Sequence, residues 1–186
     1  MIRMLIGMHS LALASLPILF LGAWGMARWM NRADRLAMAG LVFFSMASVA
    51  VMNAAVLDGL VAPNVIREIL SAAADARAGW QLAMKLSFEM NQAFARLYAV
   101  ASAVAIVLWS VSALKSRMLE WGVAIYGLVL GVVSVVGIGS GKLTPDVHGF
   151  GLVVFAQAIW FLLVAARMWN AGNGGGKQQT HVKNAA

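Results

Sequence analysis

Five stretches of the chain contain no Asp, Glu, Lys or Arg: Met4–Ala27, Leu36–Leu57, Leu97–Leu114, Trp121–Gly141 and Val147–Ala166, of 24, 22, 18, 21 and 20 residues. A helix crossing a bilayer core needs about 20 apolar residues, with a range of roughly 17–25. Inside lipid, every backbone amide must find its partner within the structure that crosses, which leaves helices or a closed barrel. Barrel strands are only about 10 residues long and alternate in polarity. The runs therefore predict five helical spans. Composition agrees: 11% of the 186 residues are charged and 62% are hydrophobic, against about 25% and 45–50% in soluble domains. A soluble enzyme and a disordered protein are excluded, and the absence of Cys removes disulfide scaffolds, thiolate metal sites and Cys nucleophiles.

The expected architecture is an all-α polytopic bundle, a single transmembrane domain over residues 1–169, with an outer amphipathic helical hairpin over 58–96 and a disordered cytoplasmic tail over 170–186. The first run is longer than the 7–15-residue core of a signal peptide and is followed by Arg28, Arg32 and Arg35, so it reads as a retained span.

The net charge of +7 raises nucleic-acid binding as an option. The surplus, however, gathers in alternate connections: Arg28 to Arg35, Lys115 and Arg117, and the residues after span five (Arg167, Lys177, Lys183). In the 58–96 segment, Arg67, Arg77, Lys85 and Arg96 are matched by Asp58, Glu68, Asp75 and Glu89. Basic residues in short loops mark the cytoplasmic side. The expectation is an N-terminus outside, a C-terminus inside, and the lipid bilayer rather than nucleic acid as the partner. Trp24, Trp29, Trp109, Trp121 and Trp169 fall at the same inner ends, where amphipathic rings favour the interface.

Within 58–96, Asn64 to Ala78 is expected as a short helix interrupted at Gly79. From Trp80, the residues Gln81, Lys85, Glu89, Gln92 and Arg96 repeat at spacings of four, four, three and four, one polar face of a helix. No breaker follows, so this helix is expected to continue into span three as far as Leu114. Gly127 with Gly131, and Gly137 with Gly141, have the spacing that lets membrane helices approach closely, for packing within the bundle or in a homo-oligomer. Thr144-Pro145-Asp146 reads as the start of span five. The GIGSGK stretch at Gly137 to Lys142 departs from a phosphate loop, with Val136 and Leu143 where that motif needs Gly and Ser or Thr.

Polar side chains at membrane depth are functional hypotheses by default. His9 lies about one and a half turns inside the outer end of span one, Asn53 closes span two at that end, Asp146 and His148 open span five, Gln157 lies within it, and Asn91 precedes span three. Imidazoles from two helices suit haem iron, and imidazole with thioether suits Cu(I). His9, His148 and Met8 thus form a candidate copper or haem set, with Met4 and Met52 nearby. The plainer alternative is that His148 caps its helix, His9 bonds a neighbouring helix and Met fills gaps. A third reading places Glu68 and Asp75, seven apart with Ser71, on one helix face as a cation or acid–base pair of a membrane-surface enzyme; solvated ion pairing explains those carboxylates equally. No HExxH or GxSxG pattern occurs, so the catalytic residues are unknown. Intramembrane charges are absent and five spans do not divide into two repeats, which speaks against a monomeric ion-coupled transporter.

Asn91 to Trp169 contains NQAFARLYAVASAVAIVLWS, a short basic loop, YGLVLG, and a polar turn leading to DVHGFG and an aromatic last span. This resembles a family of uncharacterised bacterial multi-span membrane proteins. The resemblance covers under half of the chain and rests on helix-packing residues. It implies a bacterial cytoplasmic (inner) membrane and no catalytic residue, and draws attention to Asn91, Asp146 and His148. The function expected is that of a non-enzymatic complex subunit or small-ligand binder, with a membrane-protein partner or a homo-oligomer.

Overall fold

The computed structural model describes the backbone of residues 2–30, 34–143 and 147–183, and side chains for residues 4, 6–30, 34–143 and 149–172. Every element described is helical: α1 (Ile2–Trp29), α2 (Arg35–Val56), a π-helical turn (Leu57–Val61), α3 (Ala62–Ser71), α4 (Ala74–Ser116), α5 (Trp121–Gly139) and α6 (Val147–Lys183). Among the described residues, five helical stretches are long and apolar enough to cross a membrane.

Asp34 starts α2, its Oδ1 accepting the amide N–H of Leu36 at 2.9 Å, which satisfies one of the free donors at a helix N-terminus. Span two does not stop at Leu57. The helix continues through the π turn into α3, a helical run of 37 residues, Arg35–Ser71. Pro63 accounts for the wide turn. Proline has no N–H to donate, and in an α-helix its ring meets the carbonyl four residues back, here Gly59. The widened turn, closed by the Ala62 N–H donating to Leu57 O, gives that carbonyl room.

The chain reverses at Ala72 and Ala73, whose ψ angles of 143° and 158° are extended, and α4 then runs unbroken for 43 residues. The expected break at Gly79 is corrected by this: the helix ends at Ser71, not Ala78, and Gly79 lies inside α4. A glycine costs a helix interior only about 1 kcal/mol, and the carboxylate of Asp75, in the first turn, favours the start. As a second consequence, Glu68 and Asp75 sit on different helices and share no face.

Helix α4 is central, packed on α2, α3, the π turn, α5 and α6. Its buried face is mostly small: Ala95, Ala99, Ser102, Ala103, Ala105 and Ala113 among others. Small residues also face it from α2 (Ala37, Gly40, Ala47, Ala50, Ala54) and α5 (Ala124, Gly127, Gly131, Ser134). Lipid tails are as apolar as Leu, so membrane helices gain little from the hydrophobic effect and associate through close packing and hydrogen bonds; these seams supply the close packing. A Cβ at Gly131 would meet Val107 and the Ala103 carbonyl, so this glycine pair serves packing inside the chain. Gly141 lies past the end of α5 with φ 72°, which removes the second expected glycine pair from the helix and assigns Gly141 to the turn instead.

Two fully buried tryptophans close one end of the core. Trp109 and Trp160 stack with ring centroids 6.3 Å apart and planes 5° apart, with Phe44 and Phe161 against them. The Trp109 Nε1–H donates to Ala37 O at 3.0 Å and the Trp160 Nε1–H to Val123 O at 3.2 Å. Trp109 is therefore a core residue, not the interfacial one expected. Gly40, directly beneath its indole, makes the room. Trp24, Trp121 and Trp169 are exposed, as interfacial rings are. The backbone of α6 continues as helix from Asn170 to Lys183, across the Gly-rich stretch expected to lack structure. Thr144, Pro145 and Asp146 fall outside the described residues.

Candidate functional site

The polar expectations meet at the junction of α1 with the π turn. His9 Nε2 lies 3.1 Å from Asp58 Oδ2, with the imidazole largely covered and the carboxylate half exposed. Two features of the turn create the contact. The π register places Asp58 toward α1, and Gly59 lets the helices close, because a Cβ there would collide with the Cβ and Cγ of His9. Isolated π turns concentrate at functional sites. A carboxylate on one ring nitrogen fixes the orientation of an imidazole, so the pair can clasp two helices or present an oriented ring.

The other expected site residues are spread out. Met8 is 61% exposed, Met4 70% and Met52 44%, so these thioethers face outward while His9 faces in. Adjacent residues on a helix point about 100° apart, which explains why Met8 and His9 part. Asn53 donates from Nδ2 to its own helix at Val49 O, 2.8 Å. Asn91 is half-buried on α4. His148 starts α6 by its backbone, but its side chain, like the whole of Asp146, lies outside the described residues. Among the described residues, no group of three or more His, Cys, Asp or Glu comes together. Ser71 Oγ bonds back to the carbonyls of Arg67 and Glu68.

Gln157 belongs to a different centre. Only 2% exposed, it accepts from the Tyr98 hydroxyl at 3.3 Å and donates from Nε2 to Ser102 Oγ at 2.9 Å, tying α6 to α4. Tyr126 adds a bond from its hydroxyl to Ala156 O at 2.8 Å. Nothing in the sequence pairs Gln157 with partners 59 and 55 residues away, although Tyr98 and Ser102, four apart, share a face. Ser110 Oγ is buried without a partner, beside Gly127.

At the opposite end, Asp34 accepts from the Ser112 hydroxyl as well as from Leu36. These two donors, with help from the Lys115 charge and against some desolvation, hold its carboxyl below the usual carboxylate range. Arg167 pairs with Glu120 at 3.0 Å, and the Arg28 guanidinium lies 4.7 Å from the centre of the Trp24 ring. Set beside known protein families, curated proteins and solved structures, the chain matches none of them.

Proposed function

We propose that the chain is a non-enzymatic subunit or accessory component of a larger complex in a bacterial cytoplasmic membrane, and that the α3–α4 hairpin is its docking arm. One observation carries this reading. Leu70, Leu82, Leu86 and Phe88 are 76%, 69%, 60% and 57% exposed, and all four lie outside the charge-free runs. All charges of α4 except Lys115 fall between Asp75 and Arg96, so on this reading the helix leaves the bilayer near Leu97. Its 43 residues extend about 65 Å at 1.5 Å each, about twice a 30 Å hydrocarbon core. Leu82 and Leu86, one turn apart and so on one face, place exposed apolar surface on a water-facing arm, the character of an interaction surface. The basic connections at the other end support an outer arm and a cytosolic C-terminus.

The test is a photo-crosslinking residue in place of Leu86 in cells. The reading expects an adduct with another membrane protein, lost in Leu82→Glu/Leu86→Glu while protein level is kept. Adducts with lipid alone, or a double variant that crosslinks as before, overturn it.

A second reading, a metal-handling protein built on His9 and His148, is supported by the His9–Asp58 pair, since ligating imidazoles commonly carry a carboxylate partner. Copper or haem at one equivalent in the purified protein, lost in His9→Ala, would establish it in place of the first; metal content unchanged by His9→Ala would remove it.

A further inference from the structure

The end of the molecule where α1 stops, α2 starts and α4 stops has too few carboxylates for its cations. In the sequence, the connections at this end hold Asp34 and Glu120 as their carboxylates. Both are engaged: Asp34 by Leu36 and Ser112, and Glu120 by Arg167. Arg28, Arg35 and Arg117 are exposed, and neither ion pair among the described residues includes them. The stretch 31–33, Asn-Arg-Ala, adds a further cation and no acid. Among the described residues, no carboxylate at this end is left to match them.

The surroundings of Arg28 select a source. Its guanidinium rests 4.7 Å from the Trp24 ring centre, an attraction that consumes none of its N–H donors. Ile18, Leu21 and Trp24 are 72%, 62% and 42% exposed. With Arg28 they follow spacings of three, three and four, a single helix face. Along that face come aliphatic side chains, then an indole, then a cation, which is the order of acyl chain, interface and headgroup in one leaflet. Basic residues at a membrane surface attract anionic lipid with about 1 kcal/mol each.

We propose that Trp24 and Arg28 form a binding site for the headgroup phosphodiester of an anionic phospholipid, whose acyl chain lies along Leu21 and Ile18. The site requires only that α1 spans the membrane, and it stands or falls separately from the docking arm.

The test is native mass spectrometry of the full chain in mild detergent, with equal phosphatidylglycerol and phosphatidylcholine added. The wild type retains phosphatidylglycerol in preference. Arg28→Gln lowers that retention about fivefold, Trp24→Leu lowers it too, and Arg67→Gln, on α3, leaves it unchanged. Both substituted side chains are exposed, so near-UV circular dichroism from the buried Trp109 and Trp160 stays as in the wild type. Equal retention of the two lipids, an Arg28→Gln protein that behaves as wild type, or an equal loss in Arg67→Gln overturns the site. Displacement of the lipid by millimolar glycerol phosphate overturns the acyl-chain part, leaving a plain phosphate site.

Discussion

Replacing Gly40 by Ala tests the central packing with a change of one methyl group. In an unhindered helix this substitution stabilises by about 1 kcal/mol, since glycine is the poorer helix former. At position 40 the new Cβ would stand 2.6 Å from Trp109 Nε1 and 2.8 Å from its Cδ1. The indole cannot give way cheaply, being fully buried, bonded to Ala37 O and stacked on Trp160. Overpacking costs about 1–3 kcal/mol, and losing the indole hydrogen bond a further 0.5–1.5 kcal/mol or so. Set against the helix gain, the net loss is about 1–3 kcal/mol. At about 2–4 °C per kcal/mol for a chain of this size, Gly40→Ala lowers the midpoint by roughly 2–12 °C when thermal unfolding is followed in detergent by size-exclusion chromatography. Gly22→Ala and Gly25→Ala, where a Cβ meets nothing within 4 Å, leave the midpoint unchanged or raise it. In a Trp109→Leu background, the penalty of Gly40→Ala shrinks. The reasoning is refuted if Gly40→Ala is as benign as Gly22→Ala, or if its penalty persists in full without the indole.

Three other perturbations follow from the same geometry. Gly59→Ala forces α1 from the π turn and destabilises by about 1–3 kcal/mol; because the nearest clashing atom is the His9 Cβ, His9→Ala leaves most of that loss in place, whereas His9→Gly suppresses it in a double-mutant cycle on thermal midpoints. Gln157→Leu leaves the Tyr98 hydroxyl and Ser102 without their partner and costs about 1 kcal/mol, in the range of hydrogen bonds between membrane helices, read as a midpoint lower by a few degrees. The Asp34 carboxyl is held below its ordinary 3.8, so its ionised form stabilises the fold above that pH and the contribution fades as pH falls through the folded value. The stability difference between wild type and Asp34→Asn is accordingly constant from pH 5 to 7 and narrows below about pH 3.8, while a difference that widened in acid would reverse the sign.

The spans were legible because lipid tolerates so few alternatives: with no charge for 18 residues or more, a run such as Leu97–Leu114 has helix as its main option. Junctions were less so. The sequence shows Pro63 but not whether the helix ends there or widens around it, and the close approach of Gly59 to His9 comes from another helix. Gly79 attracted the break by its own weak propensity, whereas the reversal at Ala72 and Ala73 is set by α3 folding back on α4. The distance of Trp109 from its loop fixes its depth but not which side of the helix the indole occupies. His9 and Asp58 were both visible as polar residues at one level; that they touch, and that Met8 turns away, needed helix rotation. Gln157 was visible alone and its partners were not, because contacts across 55 residues leave no local pattern.

The chain has no cysteine, so single cysteines at Gln81, Ser116 and Val132 report sidedness without background. Treated with a membrane-impermeant maleimide in spheroplasts, Gln81→Cys, exposed on the polar face of the arm, reacts at once, Ser116→Cys reacts only after permeabilisation, and Val132→Cys reacts in neither case, although Val132 is 52% exposed, because lipid and not water covers it. Labelling of Val132→Cys in intact membranes, or Gln81→Cys and Ser116→Cys reacting from the same side, would contradict the five-span arrangement.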